Sequence, residues 1–108
     1  MNRFEQRLQR RMQNEEFATG YWEMDAELEL MHAIDMIRKQ QHITHERLAT
    51  LMGKKREAIT RLLTSETPNP TLNTFIELLS ALKLTADITL RQSKEGEGPI
   101  KVITELKP

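Results

Sequence analysis

Between His45 and Thr64 two short apolar periods meet at a single glycine, and that junction constrains the fold more than any other stretch of the chain. Upstream of Gly53 the apolar positions are Leu48, Leu51 and Met52; downstream they resume at once with Ala58, Ile59, Leu62 and Leu63. Spacings of three and four put each set on one face of a helix. Glycine enters the left-handed region without steric penalty, so it turns the chain in the few residues between the periods. Thr44 supplies an N-cap for the first helix, and Ala49 is small enough to let two helices cross closely at so short a turn. The sequence therefore predicts one helix ending at Gly53 and another over about 55–64, with Ile59 and Leu62 facing Leu48 and Met52.

Helical periods also flank this pair. Leu30, Met31, Ile34 and Ile37 predict an amphipathic helix at about 25–40, with Glu27, Asp35 and Arg38 on its outer face. After a loop at Ser65–Pro70, Thr71 caps a further helix carrying Leu72, Phe75, Leu78, Leu79 and Leu82. Beyond Lys83 the period changes to two. Ala86, Ile88 and Leu90 alternate with Asp87, Thr89 and Arg91, and a second alternating run passes from Ile100 to Leu106. Both runs read as strands, joined across the polar KEGEGP loop as a hairpin or paired with a second chain. The expected organisation is an N-terminal arm and lead-in over 1–24, a helical domain over 25–84, and a C-terminal β segment over 85–108 that serves dimerisation. The fold class expected is mainly α, with a short β-strand or hairpin at its end.

The 108 residues carry no net formal charge, with 16 Lys and Arg against 16 Asp and Glu, but the zero is a cancellation between segments. Residues 1–13 hold four Arg and one Glu, residues 14–36 hold seven acids and no Lys or Arg, and residues 37–65 hold seven bases and two acids. Lys54, Lys55, Arg56, Glu57, Thr60 and Arg61 cluster on the face opposite Ile59, in the N-terminal half of their helix. Cations there do not relieve the helix dipole, and they fit an approaching phosphate backbone. In the acidic segment Phe17, Tyr21 and Trp22 gather three of the five aromatic residues; such side chains either plug a core edge or anchor a partner. In the arm, Phe4, Leu8 and Met12 recur every four residues among Arg3, Arg7, Arg10 and Arg11, the pattern of a basic amphipathic helix.

With its cap, turn and flanking helices, the pattern over residues 30–84 resembles the helix-turn-helix of the xenobiotic-response-element family, the Cro and lambda-repressor-like regulators. Asn69-Pro70-Thr71, leading into the last helix, is part of the likeness. The resemblance implies a lambda-repressor-like helical bundle that binds double-stranded DNA as a homodimer on an inverted-repeat operator. By that resemblance Arg56, Glu57 and Arg61 occupy positions that reach base edges in the major groove, and Thr44, His45, Lys54, Lys55 and Thr60 lie at positions that meet phosphates. The chain departs from the family pattern at Lys54, where an apolar residue is usual, at Leu63, where an acid is common, and at Ser65, where glycine is usual. The stretch EFATGYWEMDAELELMHAIDMIRKQQHITHERLATLMG also resembles the lead-in of HigA-like antitoxins, which combine DNA binding with binding of a RelE/HigB-like ribonuclease toxin. That likeness makes Phe17, Tyr21 and Trp22 candidate partner-binding residues. Two other readings stay open: a stand-alone regulator of the same family, such as a prophage repressor, and an interaction adaptor without DNA binding.

An enzyme is not expected. His32, His42 and His45 have no third ligand at metal spacing, the serines have no base arranged near them, and no glycine-rich loop leads a helix, so neither metal nor cofactor is implied. The lack of Cys fits a reducing, cytoplasmic setting. Apolar runs of two or three residues are far below the roughly 20 that a bilayer span requires, and the arginine-rich N-terminus lacks the apolar stretch of an export signal.

Overall fold

The computed structural model describes residues 2–106, and among them five helices follow in order: α1 (Arg3–Met12), α2 (Glu15–Gln40), α3 (His45–Met52), α4 (Arg56–Thr64) and α5 (Leu72–Ala81). Each start except that of α4 carries a side-chain cap. Asn2 accepts from the Glu5 amide, Asn14 from Phe17, Thr44 from Arg47 and Thr71 from Thr74, each occupying a donor that the first helical turn leaves free.

The core lies where α2, α3, α4 and α5 converge. Met31 and Ile34 enter from α2, Leu48 and Ala49 from α3, Ile59 and Leu63 from α4, and Leu78 and Leu82 from the end of α5. Burying a side chain of this size contributes about 1.5–3 kcal/mol. The expected helices all form, with two changes of lining. Leu63 replaces Leu62 as the second buried residue of α4; Leu62 is half-buried. Leu51, Ala58 and Leu72 lie outside the core and are exposed, because apolar residues at three-four spacing span a wider arc than the contact they feed. Leu63, which stands where an acid is common in the family, is buried, so hydrophobic packing holds the inner end of α4.

Two further expectations are corrected. The helix expected from about residue 25 begins at Glu15, where Asn14 caps it and Glu15 and Glu16 place acids in its first turn, which suits the helix dipole. No strand forms among the described residues over 85–106. A strand exists through ladder bonds to a neighbour, and here the two alternating runs do not pair with each other. Ile88, Leu90 and Ile103 are 74%, 92% and 73% exposed. The C-terminal run is instead drawn onto α2, where the Val102 amide donates to Glu29 Oε1 at 3.1 Å. At the loop before it the Arg91 guanidinium forks onto both Glu97 oxygens, at 2.8 and 2.6 Å, and Glu97 also accepts from the Lys94 amide. Those bonds push the Glu97 carboxyl down to about 2, the Arg91 contact first.

Candidate nucleic-acid interface

The turn between α3 and α4 is built as the residue types require. Gly53 sits at φ 65°, ψ 34°, and the Lys54 amide donates to the Ala49 carbonyl at 2.9 Å, closing the helix with a left-handed residue. Lys55 then takes the N-cap position of α4 with no side-chain cap bond. The Ala58 amide donates to the Lys55 carbonyl at 3.1 Å, which leaves the Arg56 and Glu57 amides for an outside acceptor.

With Ile59 and Leu63 buried, the other face of α4 turns outward. Arg56, Glu57 and Arg61 are exposed along it, as are Lys54 and Lys55 before it, and of these only Lys54 makes an ion pair among the described residues. Its ammonium lies 3.7 Å from Glu77 on α5. Glu77 in turn accepts from Asn73 Nδ2 at 2.8 Å, so Lys54 leans toward α5. Thr44 Oγ1 accepts from the Arg47 amide at 3.0 Å.

His45 and Thr60, both expected at phosphates, meet each other: His45 Nδ1 and Thr60 Oγ1 are 2.9 Å apart, in a half-buried contact between α3 and α4. Behind them stands a charged cluster that sequence reading set on the outer face of α2. Arg38 bonds Asp35 through Nε and Nη2, each at 2.8 Å, and gives Nη1 to the Ile43 carbonyl at 2.7 Å. Asp35 Oδ1 also lies 3.8 Å from His45 Nε2, and Lys39 Nζ is 3.4 Å from the other oxygen. Burial works to raise the Asp35 carboxyl, but the Arg38 hydrogen bond and charge, followed by Lys39, outweigh it and hold the group below the usual carboxylate range. The side chains of Asp35 and Arg38 are 17% and 12% exposed. They link α2, through Ile43 and His45, to the helix that carries Arg56. The i,i+3 spacing of opposite charges was the one sequence signal for this pair.

The family comparison matches the helix-turn-helix family over residues 34–88, just over half of the chain. The protein belongs to that family. Within it the helix-turn-helix is of the xenobiotic-response-element type, the domain of DNA-binding transcriptional regulators, which are typically not enzymes. The helix-turn-helix match covers all of α3, α4 and α5 and the end of α2 that carries Asp35 and Arg38. No curated protein and no solved structure gives a significant match. Among the described residues no helix is long and apolar enough to cross a membrane.

The aromatic trio lies outside the matched segment. Phe17 and Tyr21 stack with ring centroids 6.5 Å apart, and Trp22 meets Tyr21 edge-on at 5.2 Å. Arg11 of α1 lies over the Phe17 ring at 5.8 Å. All three rings are half-buried. Gly98 rests directly on Trp22, so close that a Cβ there would come within 2.8 Å of the indole. From Gly98 the chain runs along α2 through Val102 to Thr104, making a strap over the helix.

Proposed function

We propose that the protein is a cytoplasmic, dimeric, sequence-specific DNA-binding antitoxin and autorepressor that neutralises a RelE/HigB-like toxin. The observation that carries the DNA half is the two-faced recognition helix: Ile59 and Leu63 are buried beneath α4 while Arg56, Glu57 and Arg61 are exposed together on its other side. In this reading an arginine fork donates two bonds to guanine, Glu57 accepts from the cytosine amine, and each good pair discriminates by about 1–3 kcal/mol. Lys54, Lys55 and the Thr44 cap lie toward phosphates, and the His45–Thr60 pair presents its remaining polar atoms to the backbone as a unit. Two copies related by a two-fold axis insert α4 into major grooves about 34 Å apart, which calls for an inverted-repeat operator.

Support for the antitoxin half is electrostatic and local. The acidic stretch over 14–36 suits a basic partner, and Phe17, Tyr21 and Trp22 offer aromatic anchors beside it. One observation favours the stand-alone regulator instead: the strap already covers Trp22.

Titration against the chain's own promoter tests the DNA half. Arg56→Ala is expected to weaken operator binding about ten- to a hundredfold while changing affinity for random DNA much less; equal losses on both would make Arg56 a phosphate contact. Co-purification with the product of a neighbouring small gene tests the other half. Replacing Tyr21 and Trp22 with Ala should weaken that complex and spare the operator, and a protein that retains its full partner affinity would remove the aromatic anchor.

A further inference from the structure

The N-terminal arm carries two lines of side chains that its own chain meets only at their C-terminal end, where Arg11 lies over the Phe17 ring. On α1 each of Arg3, Arg7 and Arg11 is followed by an apolar residue, Phe4, Leu8 and Met12. The spacing of four makes one charged line and one apolar line side by side down the helix. None of these arginines, nor Arg10 beside them, forms a salt bridge among the described residues. No residue of α1 is buried, and Phe4 is 67% exposed. Like charges four apart disfavour an isolated helix, so this one is helped by an acidic surface laid along it.

The N-terminal half of α2 repeats the device with the opposite sign. Glu16, Glu23 and Glu27, at spacings of seven and four, are followed by Phe17, Met24 and Leu28. None of the three carboxylates is in a salt bridge among the described residues. The strap follows Trp22 and Glu29 and comes beside Leu28, while Glu16, Glu23 and Met24 stay exposed. In both helices the charged line precedes the apolar one by a single residue, so it lies on the same flank. Antiparallel packing joins like flanks, as it does for paired charged positions in coiled coils, and so sets arginine against glutamate along a shared apolar seam. The arginine line from Arg3 to Arg11 spans about 12 Å and fits within the glutamate line from Glu16 to Glu27, which spans about 16 Å at 1.5 Å per residue.

Two observations direct this contact to a second copy. Phe4 stays exposed, where folding α1 back on its own α2 would cover it. The radius of gyration is 16.0 Å, against about 13 Å for a compact chain of this length, as expected when the arm and the first half of α2 project from the core. We propose that α1 of one copy packs antiparallel on the N-terminal half of α2 of a second copy, reciprocally across a two-fold axis. This rests on the dimeric reading above and gives it a contact.

Sedimentation of two charge-reversed full-length chains tests it, one with Arg3, Arg7 and Arg11 changed to Glu, the other with Glu16, Glu23 and Glu27 changed to Lys. Each alone should self-associate about ten- to a hundredfold more weakly than wild type, while an equimolar mixture restores association as a heterodimer, because both reciprocal contacts then join opposite charges. Unchanged association of the single variants, or no recovery on mixing, overturns the proposal. Recovery only when both sets sit in one chain assigns α1 to its own α2, and lost operator affinity with an unchanged dimer constant assigns it to DNA; either result also overturns it. Circular dichroism melts confirm that each variant folds, and Arg→Gln and Glu→Gln versions replace any that does not. A wild-type chain that never dimerises removes the dimeric reading itself, whereas a dimer indifferent to both reversals removes only the arm contact.

Discussion

At Gly53 the backbone occupies φ 65° with open space where a side chain would stand, so the cost of any substitution there is conformational and not steric crowding. Gly53→Ala is expected to lower stability by about 1–2 kcal/mol, read from chemical denaturation, with helix content otherwise retained. The caps at Thr44 and Thr71 and the turn at Gly53 were legible because each depends on residues within four positions of itself. Asp35 and Arg38 were not, since only the arrival of α3 turns a solvent-facing i,i+3 pair into the partly buried support of Ile43 and His45. Their chemistry gives a pH prediction. Asp35 is held below its ordinary pKa when folded, so its contribution is full above the unfolded value of about 4 and is lost as pH falls through the lower, folded one. Asp35→Asn should therefore flatten the acid limb of the stability–pH profile below about pH 4 and leave its slope near neutrality unchanged; an unaltered acid limb would show that the Arg38 contact contributes no acid sensitivity.

Among the elements, α4 is the one whose two faces carry separate duties, and its cap shows the division. Lys55 brings a charge to the helix N-terminus and no acceptor for the free amides, a poor choice for an isolated helix and a reasonable one beside phosphate. In the proposed complex Lys55 touches backbone only. Lys55→Ala should weaken binding about equally on operator and random DNA and reduce the magnitude of the slope of log affinity against log salt by about 1; selective loss on the operator would assign Lys55 to base readout. The element boundaries were read unevenly. The helices α3, α4 and α5 follow from apolar periods that a core enforces. The first ten residues of α2 lie before that period, and their signals are the Asn14 cap and the two acids of the first turn. The C-terminal runs have a strand's alternation and lack a strand's neighbour, which one chain's sequence does not supply.

Over the whole molecule the zero net charge resolves into three bodies: a basic arm, an acidic first half of α2, and a basic helix-turn-helix. The molecule is 44 Å in its longest extent, and among the described residues no salt bridge joins any two of the three. One later contact crosses this layout, where the strap sets Gly98 on Trp22. Because this is the chain's sole tryptophan, its emission is a built-in optical gauge of whether residues 98–104 are seated. Gly98→Ala, which forces a methyl group toward the indole, should shift the emission to the red and increase quenching by iodide while α3 to α5 melt as before. An unshifted spectrum would mean the strap moves without uncovering the ring. The same signal, followed without any label while DNA or a partner is added, separates ligands that leave the strap seated from those that lift it.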